Sequence, residues 1–148
     1  MTSRNPVGET EQFLHKQIPL SRAMGVRVES NDGKQFVLTA PLSLNHNHLG
    51  TAFGGSLSAI VMLAGYGLLW LELGDRECHI VISKSSISFR RPVHGIIRAV
   101  CHRPESRILA QFKKKFAQKG KAQIRLVVTI GEEGHTAVDF EGIYVAKK

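Results

Sequence analysis

The feature that most constrains the fold is an uncharged stretch from Phe53 to Leu71 in the middle of the chain. A membrane-spanning helix needs about 20 mainly apolar residues, so length alone is compatible with insertion into a bilayer. The stretch equally fits the central helix of a packed domain, because a helix that is apolar on every side must be covered on every side. Glycines and serines interrupt it, and no second stretch of this kind accompanies it. We therefore predict a buried helix and no membrane association.

The composition predicts a single globular domain over residues 1–148. The chain is 43% apolar and 22% charged, without repeats or a low-complexity linker, and is long enough to bury a core without metal or disulfide support. Its formal net charge of +8 indicates an anionic partner. Nucleic acid is not expected, because the basic residues are not interleaved with aromatic ones and no recognition motif is present.

The two cysteines, Cys78 and Cys101, lie on consecutive predicted strands. If these strands form a hairpin that turns at Pro92–Gly95, the two thiols are too far apart to be bridged. Reduced thiols and an N-terminus without the apolar core of a signal peptide predict a cytoplasmic protein.

Hydrophobic periodicity and turn residues predict helices alternating with short strands. The predicted helices are Glu9–Ile18, Phe53–Leu73 and Glu105–Gln118. The predicted strands are Val26–Val28, Phe36–Leu42, His79–Phe89, Ile96–His102, Gln123–Glu132 and Ala137–Ala146. This order is typical of an α+β fold with a mostly antiparallel sheet. Since one flat sheet cannot cover a helix that is apolar all round, the sheet must curl around it.

The start of the long helix is the first candidate site. The backbone N–H groups of Phe53, Gly54 and Gly55 can point at a carbonyl oxygen, because the first amides of a helix lack internal partners and carry the positive end of the dipole. The glycines could instead serve close packing of the helix on a strand. The preceding polar segment, Asn45–His48, favours a site, because four polar side chains ahead of a buried helix need partners or a cavity.

Two segments resemble a known family. Residues 45–57 read NHNHLGTAFGGSL, and residues 88–93 read SFRRPV. They resemble the hot-dog acyl-thioester hydrolases, in particular the YiiD C-terminal type, over about residues 19–145. Thr51 and Ser56 strengthen the likeness to that subclass. The resemblance implies a curved antiparallel sheet wrapped around one central helix and a homodimer with active sites between subunits. Because one curled sheet leaves part of the helix uncovered, we predict a homodimer or a dimer of dimers. We predict no cofactor.

The resemblance also implies roles for individual residues. Asn47 matches the family asparagine that orients the water or contacts the thioester. His46 and His48 are candidate general bases, since imidazole titrates near neutral pH, although such residues often only satisfy loop backbone groups. They could supply two metal ligands, but no third ligand has suitable spacing, and we predict no metal. Asn45, Thr51 and Phe53 are candidate substrate contacts.

The sequence departs from the best-known members of the family in two places. Phe53 stands where they have a histidine, and Met62 stands where their helix has an aspartate or glutamate. Glu72 and Asp75 cannot substitute, because they lie about 27 Å along the helix from Gly54. Ser58 is on the right face to hold a water or the thioester, or is simply a small residue at a close contact. A non-catalytic acyl-binding module therefore remains an alternative, as does a hydroxyacyl dehydratase, although the dehydratase would need an acid that this helix does not offer.

Further candidate substrate contacts lie on the predicted strands. Ser83 and Ser85 share one face with apolar neighbours and could line an acyl or pantetheine tunnel, or the pattern could mark a β-bulge. Arg90 and Arg91, with the lysines at 113–115, could contact the phosphates of coenzyme A or the acidic surface of an acyl carrier protein, although such charges are often only solvated. The sequence thus predicts hydrolysis of an acyl-CoA or acyl-carrier-protein thioester.

Overall fold

The computed structural model describes residues 6–148. Its helices are α1 (Pro6–Gln17), α2 (Pro19–Ala23), α3 (Gly54–Leu73) and α4 (Ser106–Lys119), with a 3-10 turn at Leu42–Leu44. Its strands are β1 (Arg27–Asn31), β2 (Gln35–Ala40), β3 (His79–Phe89), β4 (Ile97–His102), β5 (Lys121–Glu132) and β6 (His135–Lys147).

The described strands form one antiparallel sheet in the order β1-β2-β4-β5-β6-β3. The sheet curls around α3, which packs against β2, β3, β4, β5 and β6. The predicted α+β architecture, a curved antiparallel sheet around one long helix, is thereby confirmed. The core lies between the inner face of the sheet and α3, and residues of α1 and α4 close its end.

The hairpin considered for the two cysteine-bearing strands is wrong. β3 pairs with β6, whereas β4 lies between β2 and β5. The segment between them crosses the sheet instead of turning back, which local turn residues cannot reveal. Both cysteines are free, and burial raises the pKa of Cys101 to about 12, which makes that thiol unreactive.

The long helix α3 is a core helix of this domain. It is the single helix in residues 6–148 that is long and apolar enough to cross a membrane, and about half of its residues are buried against the sheet. Two glycines allow the sheet to approach it, because a side chain at Gly65 would overlap the ring of Tyr144 and one at Gly67 would overlap Phe36. The Tyr144 hydroxyl donates to the carbonyl of Met62 at 2.8 Å, which ties β6 to the middle of the helix.

The edge strand β3 contains a bulge. Its register against β6 shifts between Ile82 and Lys84, and the Ser83 hydroxyl donates to the Ile143 carbonyl at 3.2 Å. The expectation that Ser83 and Ser85 share one face is therefore wrong, and the bulge interpretation is confirmed. Ser85 pairs with Gly142 on the inner face of the sheet, whereas Ser83 is the residue of the bulge that has no partner in the register.

Candidate active site

The N-terminus of α3 presents free backbone amides. Phe53 is the N-cap residue, and its side chain makes no capping hydrogen bond. The first intrahelical bond runs from the Leu57 N–H to the Phe53 carbonyl at 3.0 Å. The N–H groups of Gly54, Gly55 and Ser56 consequently have no acceptor within the helix and point along its positive end. The Phe53 N–H, which we expected to join them, instead donates to the Asn45 carbonyl at 2.7 Å.

Two aromatic rings flank these amides. The ring of Phe53 covers Gly55 and occupies the space that a side chain there would need. A Cβ at Gly54 would lie 3.8 Å from the ring of Phe89, at the end of β3. Both rings remain about half exposed, 54% for Phe53 and 53% for Phe89. The helix end therefore has apolar walls and is open to solvent, which suits an uncharged, polarised group such as a carbonyl.

The loop ahead of α3 is anchored by Asn45. This side chain is buried, and its Nδ2 donates to the carbonyls of Met24 and Pro41, both at 2.8 Å. Its Oδ1 is also buried and has no hydrogen-bond partner among the described residues. Asn45 therefore fixes the start of the loop against the turn after α2, rather than standing at the open helix end.

Asn47 organises the rest of that loop. Its Oδ1 accepts from the N–H groups of Leu49 at 2.8 Å and Thr51 at 3.2 Å, and its Nδ2 donates to Thr51 Oγ1 at 2.9 Å. The Asn47 N–H also donates to the Thr51 carbonyl at 2.7 Å. An asparagine Nδ2 carries two hydrogens, so one donor remains after these contacts. Asn47 can therefore brace the loop and still offer a hydrogen bond.

The two loop histidines are exposed. His46 forms an isolated bridge with Ala52, and its Nδ1 lies 3.0 Å from the Asn47 carbonyl. Neither imidazole is buried. Within residues 6–148, no group of three His, Cys, Asp or Glu side chains is placed to hold a metal ion.

An apolar groove leads away from the helix end. Residues at helical spacing along one face of α3, namely Gly55, Ser58, Ala59, Met62 and Tyr66, are less buried than Leu57, Ile60, Val61 and Leu63 on its other faces. The inner face of β3 lies opposite, with Ser85, Ile87 and Phe89 toward the N-terminus of α3 and Ile82 toward its middle. At the level of Met62 and Tyr66 a cavity of about 340 Å³ lies between α3 and β3. Ser58 and Ser85 are the polar side chains along this path.

The candidate basic residues differ in whether an acidic side chain already pairs with them. Arg90 forms an ion pair with Asp139, and Lys113 with Glu72 at 2.8 Å. Arg91 is exposed, and the same segment carries Val93, whose carbonyl accepts from the Ala52 N–H at 2.9 Å directly before α3. Of the two predicted arginines, Arg91 is therefore the more available to an anion near the helix end.

The other end of α3 has a structural role. Glu72 accepts from Arg103 Nε at 2.8 Å and pairs with Lys113 of α4. Burial of the carboxylate opposes ionisation, but the hydrogen bonds from Arg103 and Lys113 outweigh it and lower the pKa of Glu72 below its usual value. Glu72 is paired with Arg103 and Lys113 at the far end of the helix, so it is not available as a base at the N-terminus of α3.

Comparison with known proteins identifies the family of this chain. Residues 7–148 match the family described as "Putative thioesterase (yiiD_Cterm)". The chain belongs to this thioesterase family. A protein of unknown function from Chlorobaculum tepidum TLS is 36% identical and superposes with a TM-score of 0.89, covering 96% of this chain and 94% of that one.

Two further solved structures extend the comparison. A protein from Shewanella oneidensis, named as a "putative thioesterase", is 27% identical with a TM-score of 0.86, covering 97% of this chain and 98% of that one. The E. coli PaaI protein from the phenylacetic acid degradation operon shares the fold at 16% identity and a TM-score of 0.65, covering 97% and 94%. The hot-dog architecture of this YiiD C-terminal family member therefore agrees with the sequence resemblance.

The structure adds residues that sequence reasoning did not assign to the site. Phe89 lies beside Gly54, and its only signal was its place in the segment SFRRPV. Tyr66 borders the cavity between α3 and β3, where its helical spacing from Met62 was the one available hint.

Proposed function

We propose that this thioesterase family member hydrolyses an acyl-CoA or acyl-carrier-protein thioester. Water attacks the carbonyl carbon, and the oxygen that becomes an oxyanion is held by the amides of Gly54 and Gly55. Collapse of this intermediate breaks the C–S bond and releases the carboxylic acid and the thiol, which takes up the proton removed from water. Asn47 orients the water or the thioester through its remaining amide hydrogen. His48, His46 or solvent removes the proton.

The single observation that carries this proposal is the open, uncapped N-terminus of α3 between Phe53 and Phe89. Preorganised backbone donors in a partly desolvated setting stabilise a developing oxyanion without reorganisation. The apolar groove that starts at the same helix end suits an acyl chain, and Arg91 suits the phosphates of the carrier. The donors, the groove and the exposed arginine together support the proposal.

A non-catalytic acyl-binding module is the second candidate. The observation that favours it is Met62, an apolar side chain at the position where better-known relatives carry a carboxylate. Residues 54–71 of α3 contain no carboxylate at all. Such a module would keep the groove and the carbonyl site without turnover. A hydroxyacyl dehydratase is less favoured, because the one acid of α3 is held by Arg103 and Lys113.

A backbone substitution tests the carbonyl site. Gly54→Pro removes one backbone N–H. The backbone can accept it, because proline is favoured at the first helical position. The preceding residue, Phe53, already has the extended conformation that proline requires, with φ −68° and ψ 134°. Gly54→Ala is the matched reference, since it keeps the N–H and its Cβ would make an ordinary contact with Phe89. Against a panel of acyl-CoAs, we expect kcat of Gly54→Pro to be about 10²-fold below that of Gly54→Ala.

Equal kcat values for the two variants would remove the Gly54 amide from the mechanism. Wild-type protein that binds acyl-CoA but releases no thiol from any member of the panel would establish the acyl-binding module instead.

A further inference from the structure

The groove beside α3 is divided by one side chain. The cavity of about 340 Å³ lies on one side of Tyr66, and a second cavity of about 450 Å³ lies on the other. Tyr66, Ile80 and Val81 line both. The two spaces are therefore neighbours with a shared wall, and Tyr66 is the part of that wall contributed by α3.

The two cavities differ in chemistry. The first is lined by aliphatic side chains and by two tyrosines, one of which, Tyr144, already donates its hydroxyl to Met62. The second includes Gln17, Arg76 and Glu77 beside Cys78. A hydrocarbon chain gains free energy by entering the first space and would meet charged and amide groups in the second.

The ring of Tyr66 is held in place by its neighbours. Phe13 of α1 stacks parallel to it, with ring centroids 6.2 Å apart and an interplanar angle of 7°. Phe13 also stacks on Trp70 at 4.3 Å, and Arg76 lies over Trp70 while forming an ion pair with Glu9 of α1. Phe13 also lines the second cavity, so these contacts support the Tyr66 ring from that side.

We propose that Tyr66 sets the upper limit on the acyl-chain length that this site accepts. The proposal rests on the proposed function, because it takes the carbonyl to lie at the N-terminus of α3. From there the chain follows Ser58, Ala59 and Met62 along one helix face into the first cavity, and its methyl end stops at the Tyr66 ring.

The geometry gives an approximate length. Gly55 and Tyr66 are separated by about 16 Å along the helix axis. An extended hydrocarbon advances about 1.3 Å per carbon, as follows from single-bond lengths of about 1.5 Å. Acyl chains of roughly ten to twelve carbons would therefore fill the path, and longer ones would have to displace the ring or bend out to solvent.

The test compares chain-length profiles of three full-length variants with that of the wild type. Tyr66→Ala removes the dividing side chain, Tyr66→Leu shortens it while keeping an apolar contact with Phe13, and Tyr66→Phe keeps the ring as the matched control. For each protein, kcat/KM is measured with straight-chain acyl-CoAs of 6 to 18 carbons. Dissociation constants are measured by calorimetry with the corresponding non-hydrolysable thioethers.

We expect the wild-type profile to fall beyond about 12 carbons. The ratio of kcat/KM for the 16-carbon to the 10-carbon substrate should rise at least tenfold in Tyr66→Ala and by a smaller factor in Tyr66→Leu, and should stay at the wild-type value in Tyr66→Phe. If Tyr66→Ala does not fold, Tyr66→Leu decides the question.

The kinetic and the binding measurements together separate this proposal from the proposed function. If hydrolysis occurs but the 16-to-10 ratio is the same in all folded proteins, Tyr66 does not set the limit and the hydrolase proposal stands. If no substrate is hydrolysed but thioether affinity shows the same length limit and the same shift on removal of the ring, the length limit stands and the hydrolase proposal fails.

Discussion

At the scale of single residues, Asn47 combines two tasks that a sequence cannot separate. Two backbone N–H groups and one threonine hydroxyl use most of its hydrogen-bonding capacity within the loop at residues 47–51. The remaining amide hydrogen is the part that can contact water or a thioester. Loss of activity in an alanine variant would therefore mix loop disorder with loss of the contact.

An isosteric substitution separates these tasks. Asn47→Asp keeps an oxygen for the N–H groups of Leu49 and Thr51, and the Thr51 hydroxyl can turn to donate to it, but the amide donor is lost. We expect both Asn47→Asp and Asn47→Ala to lower kcat by about 10²–10³. Only Asn47→Ala should also lower the melting temperature, because each lost loop hydrogen bond is worth about 0.5–1.5 kcal/mol. Wild-type kcat in Asn47→Asp would leave Asn47 as a loop brace alone.

The residue-level features of the site were only partly accessible from sequence. The open amides of Gly54 and Gly55 follow from a glycine pair at the start of an apolar helix. The partners of Arg90 and Glu72 do not, because Asp139 and Arg103 lie 49 and 31 positions away along the chain. Phe89 beside Gly54 is likewise a contact between distant segments. Such contacts depend on the tertiary arrangement and leave no local pattern.

At the scale of secondary-structure elements, local patterns predict long elements well and pairings poorly. α3 was predicted as Phe53–Leu73 and is Gly54–Leu73, and its end at Gly74, with φ 64°, follows from the glycine that adopts this conformation readily. β3 coincides with its predicted bounds. The five-residue helix α2 was not predicted, because it is too short to show a period. The pairing of β3 with β6 joins segments separated by two strands and one helix, which no local pattern encodes.

The contact between the C-terminal end of α3 and α4 predicts acid sensitivity. Folding lowers the pKa of Glu72, so the unfolded chain binds the proton more tightly than the folded one. The stabilisation is fully present above the unfolded-state pKa of about 4.3 and is lost as pH falls through the lower folded-state value.

We expect Glu72→Gln to lower the free energy of unfolding at pH 7 by roughly 1–2 kcal/mol, since the partners are partly exposed. The difference from wild type should shrink as pH falls below about 4. Urea titrations between pH 3 and pH 7 measure it. A difference that is constant with pH would mean that the charge of Glu72 does not contribute.

At the scale of the whole molecule, the β3 edge of the sheet has no strand partner within residues 6–148. β3 is 11 residues long, pairs with β6 on one side only, and exposes Val81 by 60%. The neighbouring face of α3 is also incompletely covered. Long exposed edges readily pair with another strand. We therefore propose a homodimer, or a dimer of dimers, that covers this edge.

Light scattering at micromolar concentration tests the assembly. We expect the wild type to be at least dimeric and Val81→Lys to shift it towards monomer, because a lysine on an edge strand opposes pairing. Val127→Lys is the matched control, since Val127 is similarly apolar, 42% exposed, and lies on β5 inside the sheet. A monomeric wild type would contradict the proposed assembly, and equal effects of both variants would place the contact elsewhere.

The two ends of the central helix are about 30 Å apart and differ in their contacts. One end has amides without partners inside the helix, which we propose bind the substrate carbonyl, and the other is fastened by Glu72, Arg103 and Lys113. Effects of substitutions at such a distance usually add. Natural variation or engineering can therefore raise thermal tolerance at the fastened end without a penalty in turnover. Stability and turnover can therefore change separately in this chain.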